Sequence, residues 1–440
     1  MRKLLAILIC KAGYLVGRLI GKGSSLPGKV ALKICPDILS RIKMPEYIVA
    51  VTGSNGKTST VEMIAAVLRA DGRRVAYNAE GSNQIEGVTT LVLTRSTLGG
   101  RVKADVLLIE SDERYAVKSF KSFHPTHFVI TNLYRDQLTR NGHPEWVYDC
   151  IVPALHPDTE LILNADDPLS SGFAKGRRSV KWFGVERFAG STEQPGGIYR
   201  DGAYCPVCKS RMSYNWYHYN QIGDYYCDNC GHRRAKPDYA VTSIGPGGEV
   251  TFDGSLTVKL QFQSIYNVYN CLATYAICRE LGVSAGRIGG VIDNYILKNG
   301  RMVRFKLGAH SGVLLTSKHE NSIGYDTNLA YISKGGECTA VVIVDSISRK
   351  YFTSETSWLW DIDFDLLKGD NVKRILLCGR YVNDLAVRFS FTGIDEGRIS
   401  RYADIREAAA DLRANGSEPI YVVTCFTDKD KLLNETERAN

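Results

Sequence analysis

Tyr47-Ile-Val-Ala-Val-Thr-Gly-Ser-Asn-Gly-Lys-Thr-Ser59 sets a short apolar run against a glycine-rich turn that ends in Lys-Thr. The run from Tyr47 to Val51 predicts a buried strand. Past the turn, Val61, Ile64, Ala65 and Leu68 recur at helical spacing, and Gly72 closes the stretch. Strand, glycine turn and helix together aim backbone N–H groups and a helix N-terminus at anionic oxygens. Gly53 and Gly56 let the backbone approach a phosphate, Lys57 reaches the terminal phosphates, and the Thr58 hydroxyl takes Mg²⁺. Ser54, Asn55 and Ser59 complete the expected binding loop. The general P-loop pattern would need glycine where Val51 stands, so this is a variant of it. A nucleoside triphosphate is the expected ligand.

Working outward, 440 residues provide for two or three domains, and 44% apolar with 23% charged residues is the balance of a globular protein. No run has the length of a membrane span. Near the start, Leu4, Leu8, Ala12, Leu15 and Leu19 trace one helix face, with Lys11, Arg18 and Lys22 on another. The pattern predicts a helix packed on the protein through that leucine face, in preference to one lying on a membrane. The net charge of +8 suits an anionic partner and reads as dispersed along the chain. Twelve cysteines in a chain of this length are no disulfide scaffold. Several, such as Cys271, Cys278 and Cys378, sit singly among apolar neighbours, which is the usage of a reducing cytoplasm.

Apolar runs at Ala104 to Glu110, His127 to Thr131 and Glu160 to Asn164 predict parallel strands with helices between them. From Pro195 to Pro237 glycine, tyrosine and cysteine take over, which predicts an insertion rather than part of the sheet. Gly254 to Leu260 resumes a strand pattern, and Tyr269 to Leu281 is amphipathic. Asn299-Gly300-Arg301 forms a joint. Beyond it, Thr339 to Asp345, Lys373 to Cys378 and Ile420 to Thr424 predict strands, with a helix at Ile405 to Ala414. The expected class is α/β: a helical segment over 1–45, a central P-loop domain over 46–299 with an insertion at about 198–237, and a smaller dinucleotide-fold-like domain over 300–440.

Inside the insertion, Cys205-x-x-Cys208 and Cys227-x-x-Cys230 are two tight knuckles separated by eighteen residues. Two such knuckles close a tetrahedron around Zn²⁺. With sulfur at all four corners no position is left for water, so the expected zinc is structural. Arg233, Arg234 and Lys236 follow, with Tyr and Trp between the knuckles. They read as a solvated basic face, and nucleic acid is not an expected partner.

Thr52-Gly-Ser-Asn-Gly-Lys-Thr58 resembles the loop of the Mur ligases and folylpolyglutamate synthetases, which use ATP to join a carboxylate to an amine. Further segments match the Mur ligase pattern in order. Glu110-Ser-Asp-Glu113 resembles the segment whose glutamate holds Mg²⁺. His127-Phe-Val-Ile-Thr-Asn-Leu-Tyr-Arg-Asp-Gln137 and Asn164-Ala-Asp-Asp-Pro168 follow. Asn267-Val-Tyr-Asn270 resembles the segment whose asparagines read adenine, and Gly300-Arg301 the hinge arginine on the phosphates. The zinc insertion, Ser357-Trp-Leu-Trp-Asp-Ile-Asp363 and Gly379-Arg-Tyr-Val-Asn-Asp-Leu-Ala-Val-Arg388 resemble the MurT branch, the synthetase subunits of lipid II isoglutaminyl synthase. That resemblance implies a GatD-type glutamine amidotransferase partner that supplies ammonia. It implies an acceptor at the membrane surface, lipid II or a related precursor, whose D-glutamate carboxylate is amidated. Catalytic roles then fall to Lys57, to Glu110, and to Glu355, which would complete the partner's Cys-His site, with Asp361 as the alternative.

Three segments depart from the family pattern: Val303 replaces a glutamate, Lys318-His-Glu-Asn-Ser-Ile-Gly324 replaces Lys-Asn-Pro-Ala-Gly, and Arg349 to Glu355 replaces Ala-Asp-Gly. They leave open a Mur-type ligase that adds an amino acid directly without a glutaminase. A third reading, of another class, is a nucleic-acid-binding zinc ribbon with a P-loop switch.

Overall fold

A computed structural model describes residues 1–19, 24–78, 83–137, 141–261, 264–296, 302–347, 355–416 and 419–438. The chain divides into two compact units. The first holds 1–134, 143–196 and 201–297, and the second holds 135–142, 197–200 and 298–440.

The first unit is built on β1 (Tyr47–Thr52), which lies between β3 (Val106–Glu110) and β4 (His127–Ile130), parallel to both. Outside these run β2 (Val75–Tyr77) on one side, then β5 (Glu160–Asn164) and β6 (Val180–Val185) on the other. The insertion forms a separate hairpin, β7 (Ser213–Tyr219) with β8 (Ile222–Tyr226). β9 (Tyr239–Ile244) then joins β6 in parallel, and β10 (Glu249–Phe252) and β11 (Leu256–Lys259) add an antiparallel edge to make nine strands.

Because strand side chains alternate, β1 serves two cores. Ile48 and Ala50, with Leu107 and Ile109 of β3, pack under α1 (Arg2–Leu19), α2 (Leu26–Ile34) and α4 (Ile85–Thr94). Val49 and Val51 face α3 (Lys57–Ala70), which lies against α5 (Ile265–Glu280) and α6 (Ala285–Asp293). α2 and α4 meet backbone to side chain at Gly28, whose N–H donates to Thr90 Oγ1 at 2.9 Å.

The leucine face expected to pack α1 points the other way. Ala6, Ile7, Cys10 and Gly17 are buried, whereas Leu4, Leu8, Leu15 and Leu19 are exposed. Small side chains let α1 settle close on α2 and α4, so they form the inner face. Among the described residues no helix is long and apolar enough to cross a membrane. All twelve cysteines are free thiols, with Cys271, Cys278 and Cys378 in the cores.

Arg234, expected on a solvated face, is instead buried against Asp166. Its Nε lies 2.6 Å from Asp166 Oδ1. Asp166 Oδ2 also accepts from Val185 N (2.7 Å) and Tyr269 OH (2.5 Å). One carboxylate thereby ties the insertion, β6 and α5 to the end of β5.

The second unit contains a seven-stranded sheet. Its order is β16 (Ile399–Tyr402), β15 (Val372–Cys378), β14 (Cys338–Ile343), β17 (Ile420–Cys425), β13 (His310–Ser317), β12 (Met302–Leu307) and β18 (Glu437–Arg438). Strands from β16 to β13 are parallel, and β12 runs antiparallel to both of its neighbours, β13 and β18. Helices α7 (Ser322–Ser333), α8 (Val382–Phe389) and α9 (Ile405–Asn415) pack on it.

Removing one partner from a buried ion pair leaves the other charge stranded. Arg234→Ala is therefore expected to destabilise the first unit by about 3 kcal/mol in denaturant unfolding; a change under about 0.5 kcal/mol would show that Asp166 is held by its other donors alone.

Candidate functional site

The turn between β1 and α3 is left-handed at two glycines, Gly53 at φ +131° and Gly56 at φ +87°. A Cβ on Gly53 would strike Thr131 and Asn132, and one on Gly56 would strike the Asn270 side chain. No larger residue fits either position without displacing the turn.

The turn is braced from the end of β4. Asn132 Oδ1 accepts from Asn55 N at 2.9 Å, and its carbonyl accepts from Ser54 N at 2.9 Å. Thr131 Oγ1 donates to Asn55 O at 2.7 Å, while Ser54 Oγ donates to Tyr134 O (2.8 Å) and accepts from Tyr134 N (2.9 Å). The brace is itself held by β5, where Asn164 Nδ2 donates to Thr131 O at 3.0 Å. The first turn of α3 has no helical acceptors for its N–H groups, so a preformed anion-binding cradle opens at Gly56 to Ser59. Its glycines, its N–H donors and the half-exposed Thr58 hydroxyl fit a triphosphate with Mg²⁺.

Lys57 folds back over the turn. Its Nζ lies 2.5 Å from Gly53 O and 2.5 Å from Glu113 Oε1, in a nearly buried pair. Glu113 stands three residues beyond Glu110 and was not singled out by sequence; the motif Glu110-Ser-Asp-Glu113 offers three carboxylates, and only geometry pairs the last of them with Lys57. Glu110 ends β3 opposite Val51, and Asn78 clamps its backbone, donating to Glu110 O at 3.2 Å and accepting from Glu110 N at 2.9 Å. Glu110 is buried. On α5, whose start is capped by Ser264, Asn270 reaches Gly56 and Asn267 occupies the first turn. Arg301 lies outside the described residues.

Asp167, next to the Asp166 node, is fully buried. Its carboxylate accepts from Leu133 N at 2.7 Å, Leu169 N at 3.1 Å and Ser170 Oγ at 2.5 Å. Burial outweighs these donors and pushes its carboxyl up to about 6.

In the insertion the ligand atoms of Cys205, Cys208, Cys227 and Cys230 lie within 4.8 Å of one another. Cys205 and Cys230 are 3.6 Å apart at sulfur, and Cys208 and Cys227 3.5 Å. A tetrahedral zinc with bonds of about 2.3 Å needs sulfurs about 3.8 Å apart, so the four can hold a metal. The knuckles are equivalent: Lys209 N donates to Cys205 O and Gly231 N to Cys227 O, both at 2.9 Å. Lys209 (φ +62°) and Gly231 (φ +72°) take the same left-handed position four residues after the first cysteine.

In the second unit Glu355 is exposed and accepts from Ser357 N at 2.8 Å; hydrogen bonding from the Ser357 side chain and then from its N–H holds the carboxyl below the usual range. Asp361 is instead paired with Arg135 at 2.8 Å. Trp358 is buried, whereas Trp360 stands out against Phe391. In the departing segment, Lys318 lies 3.6 Å from Asp136, and Asn321 both donates to Asp136 (2.7 Å) and caps α7 by accepting from Gly324 N.

The family model for the Mur ligase middle domain matches residues 51–278, and that for the MurT ligase C-terminal matches 319–428. The chain is 30% identical to the subunit MurT of lipid II isoglutaminyl synthase (glutamine-hydrolyzing) from Staphylococcus aureus strain COL, over 90% of this chain and 89% of that one. It is 28% identical to the Streptococcus pneumoniae R6 protein of the same name, over 97% and 95%. Among solved structures, a pseudomurein peptide ligase type C from Methanothermus fervidus superposes with a TM-score of 0.69 at 20% identity, covering 90% of this chain and 79% of that one. MurF from Acinetobacter baumannii gives 0.64 at 15% identity, covering 92% and 80%.

A carboxyl raised in the folded state binds its proton more tightly there than in the unfolded chain. Its stabilisation is full below about pH 4 and is lost as pH rises through about 6. Asp167→Asn should therefore flatten the fall in stability between these pH values by about 3 kcal/mol, read from urea midpoints; an unchanged slope would show that Asp167 is ionised in the native protein.

Proposed function

The chain belongs to the Mur ligase family, in its MurT branch, and from that premise we propose how its residues perform an ATP-driven amidation. It is a carbon–nitrogen ligase, the synthetase subunit of a glutamine-hydrolysing pair. Its acceptor is the D-glutamate carboxylate in the peptide stem of lipid II or a closely related precursor, and its product is D-isoglutamine. The observation that carries the reading is the loop braced by Thr131 and Asn132, with the N–H groups of the first turn of α3, Lys57 and the buried Glu113 carboxylate gathered at one strand end.

Two steps are required, because a carboxylate is a poor electrophile at neutral pH. A carboxylate oxygen attacks the γ-phosphorus of ATP, the β–γ bridging bond breaks, and ADP leaves. Ammonia then attacks the carbonyl carbon of the acyl phosphate, phosphate departs with the bonding pair, and nitrogen loses a proton. Residues Gly53 to Ser59 cradle the phosphates and Lys57 offsets charge that builds on them. Thr58 and Glu110 would hold Mg²⁺, which neutralises charge on the phosphoryl oxygens. Asn267 and Asn270 present amides to the adenine edge, and Arg301 serves as the hinge contact to the phosphates. Most of the acceleration is positioning and fixed charge.

Cys205, Cys208, Cys227 and Cys230 hold a structural Zn²⁺ that staples the insertion, from which Arg234 reaches the Asp166 node. A GatD-type glutaminase supplies ammonia. Glu355, exposed and ionised, completes that partner's Cys-His site, since Asp361 is already engaged by Arg135. The division into a helical segment over 1–45, an ATP domain over 46–299 and a C-terminal domain over 300–440 assigns nucleotide chemistry to the middle and partner recognition to the end. The enzyme works in the cytoplasm, at the inner face of the membrane that carries its acceptor.

Lys57→Ala is expected to lower ATP-dependent amidation about a thousandfold and, by stranding Glu113 in its nearly buried pair, to cost about 3 kcal/mol of stability in a chain that still folds; near-normal turnover would remove the ligase assignment. Glu355→Gln should reduce glutamine-driven amidation at least about tenfold and leave ammonium-driven amidation intact. Equal losses with both nitrogen sources would take Glu355 out of the glutaminase site.

A further inference from the structure

α1 is amphipathic on both of its sides. Its inner side, Ala6, Ile7, Cys10 and Gly17, is seated on α2 and α4. Its outer side exposes Leu4 (45%), Leu8 (44%), Leu15 (65%) and Leu19 (87%), with Leu5 and Val16 alongside. At about 100° per residue these six lie on one arc of about 120°. Exposed apolar residues scattered singly need no explanation, but an unbroken stripe along a helix of about 27 Å does.

Charge identifies what covers it. The first acidic residue of the chain is Asp37, and before it stand Arg2, Lys3, Lys11, Arg18, Lys22, Lys29 and Lys33. Seven basic and no acidic residues make +7, against +8 for the whole chain (55 basic minus 47 acidic). The net charge is thus concentrated here rather than dispersed. Arg2 and Arg18 are exposed at the borders of the stripe, and Lys29 and Lys33 are exposed on α2. Lys3 donates to Gly99 O at 2.8 Å, in the loop that carries Arg101. Arg101 lines a cavity of about 700 Å³ whose five cations outnumber its two carboxylates, Glu46 and Asp105, the latter paired with Arg74.

We propose that the outer face of α1 docks on an anionic phospholipid bilayer, leucines in the acyl boundary and flanking cations on the headgroups. A stripe of leucine without acidic residues, rimmed by arginine and lysine, is the chemistry of an interfacial helix. A second copy of this chain is the poorer occupant, because an isologous contact would bring two such cationic surfaces together. Close packing on α2 and α4 fixes the helix axis along the protein surface, so it lies on the bilayer and does not enter end-on. The inference rests on the reading above only in that a lipid-linked acceptor gives the docking a purpose; vesicle binding itself needs no activity.

The test uses the full chain, alone and with its glutaminase partner, in co-sedimentation with phosphatidylcholine vesicles containing roughly a third phosphatidylglycerol or none. Binding to the anionic vesicles is expected, weakened by salt. It should fall at least about tenfold in Leu8→Glu/Leu15→Glu, whose exposed positions leave the melting temperature unchanged. Amidation of a water-soluble acceptor peptide should be equal in both proteins, and amidation of a vesicle-embedded acceptor lower in the variant. The proposal is overturned if the wild-type chain stays in the supernatant or if the variant sediments equally. It is also overturned if the glutaminase blocks vesicle binding, or if sedimentation velocity shows the variant splitting a wild-type dimer. Wild-type protein inactive on every acceptor, yet bound to vesicles, would sink the ligase assignment and leave the docking face standing.

Discussion

The turn over Gly53 to Ser59 keeps its shape because side chains from two neighbouring strands close on it. A glycine loop has more conformational freedom to lose than any other segment, and left alone it would sample many states. Thr131 and Asn132 at the end of β4 hold both the N–H and the carbonyl of Asn55, and Asn164 at the end of β5 holds Thr131 in turn. The ordering entropy is met by folding, before any ligand arrives. That is what preorganises the loop, and it ties the loop's shape to the order β5-β4-β1 in the sheet.

The same strand ends support a second node. Asp166 and Asp167 are adjacent, both fully buried, and differently employed. Asp166 neutralises Arg234 from the cysteine-rich insertion and accepts from Tyr269 on the helix that carries Asn267 and Asn270. Asp167 accepts from Leu133 N, next to the brace. The insertion, α5 and the segment next to the brace thus meet at two adjacent carboxylates.

What was legible in the sequence was local. Glycine and lysine spacing marks a phosphate loop because the turn is made of consecutive residues, and Cys-x-x-Cys marks a knuckle for the same reason. The long apolar runs, β1, β3, β4, β5, β14, β15 and β17, were each readable as buried parallel strands. Contacts between distant residues were not readable: Asn55 and Asn132 are 77 positions apart, and the pairing of Lys57 with Glu113 spans 56. Strands with polar or half-exposed faces were missed too, among them β6, β9 and the β12–β13 hairpin. The hairpin of the insertion also escaped, since its aromatic residues pair along one strand, Tyr214 stacked on Tyr217 and Trp216 tilted against His218, instead of following a sheet's alternation.

Periodicity identifies a helix without saying which side is inside. In α1 the leucine stripe looked like the packing face, yet close approach to α2 and α4 selects small residues, and Ala6, Cys10 and Gly17 are the ones that fit. The leucines were left outside by that steric choice. α1, α2 and α4 cover one face of the sheet, whereas the phosphate loop opens where β1 ends and α3 begins on the other. A helix lying along the sheet face leaves the strand ends uncovered. A bilayer on the outer side of α1 would therefore not occlude the nucleotide loop of this unit, which is the arrangement a ligase needs if its nucleotide is dissolved and its acceptor is held in lipid.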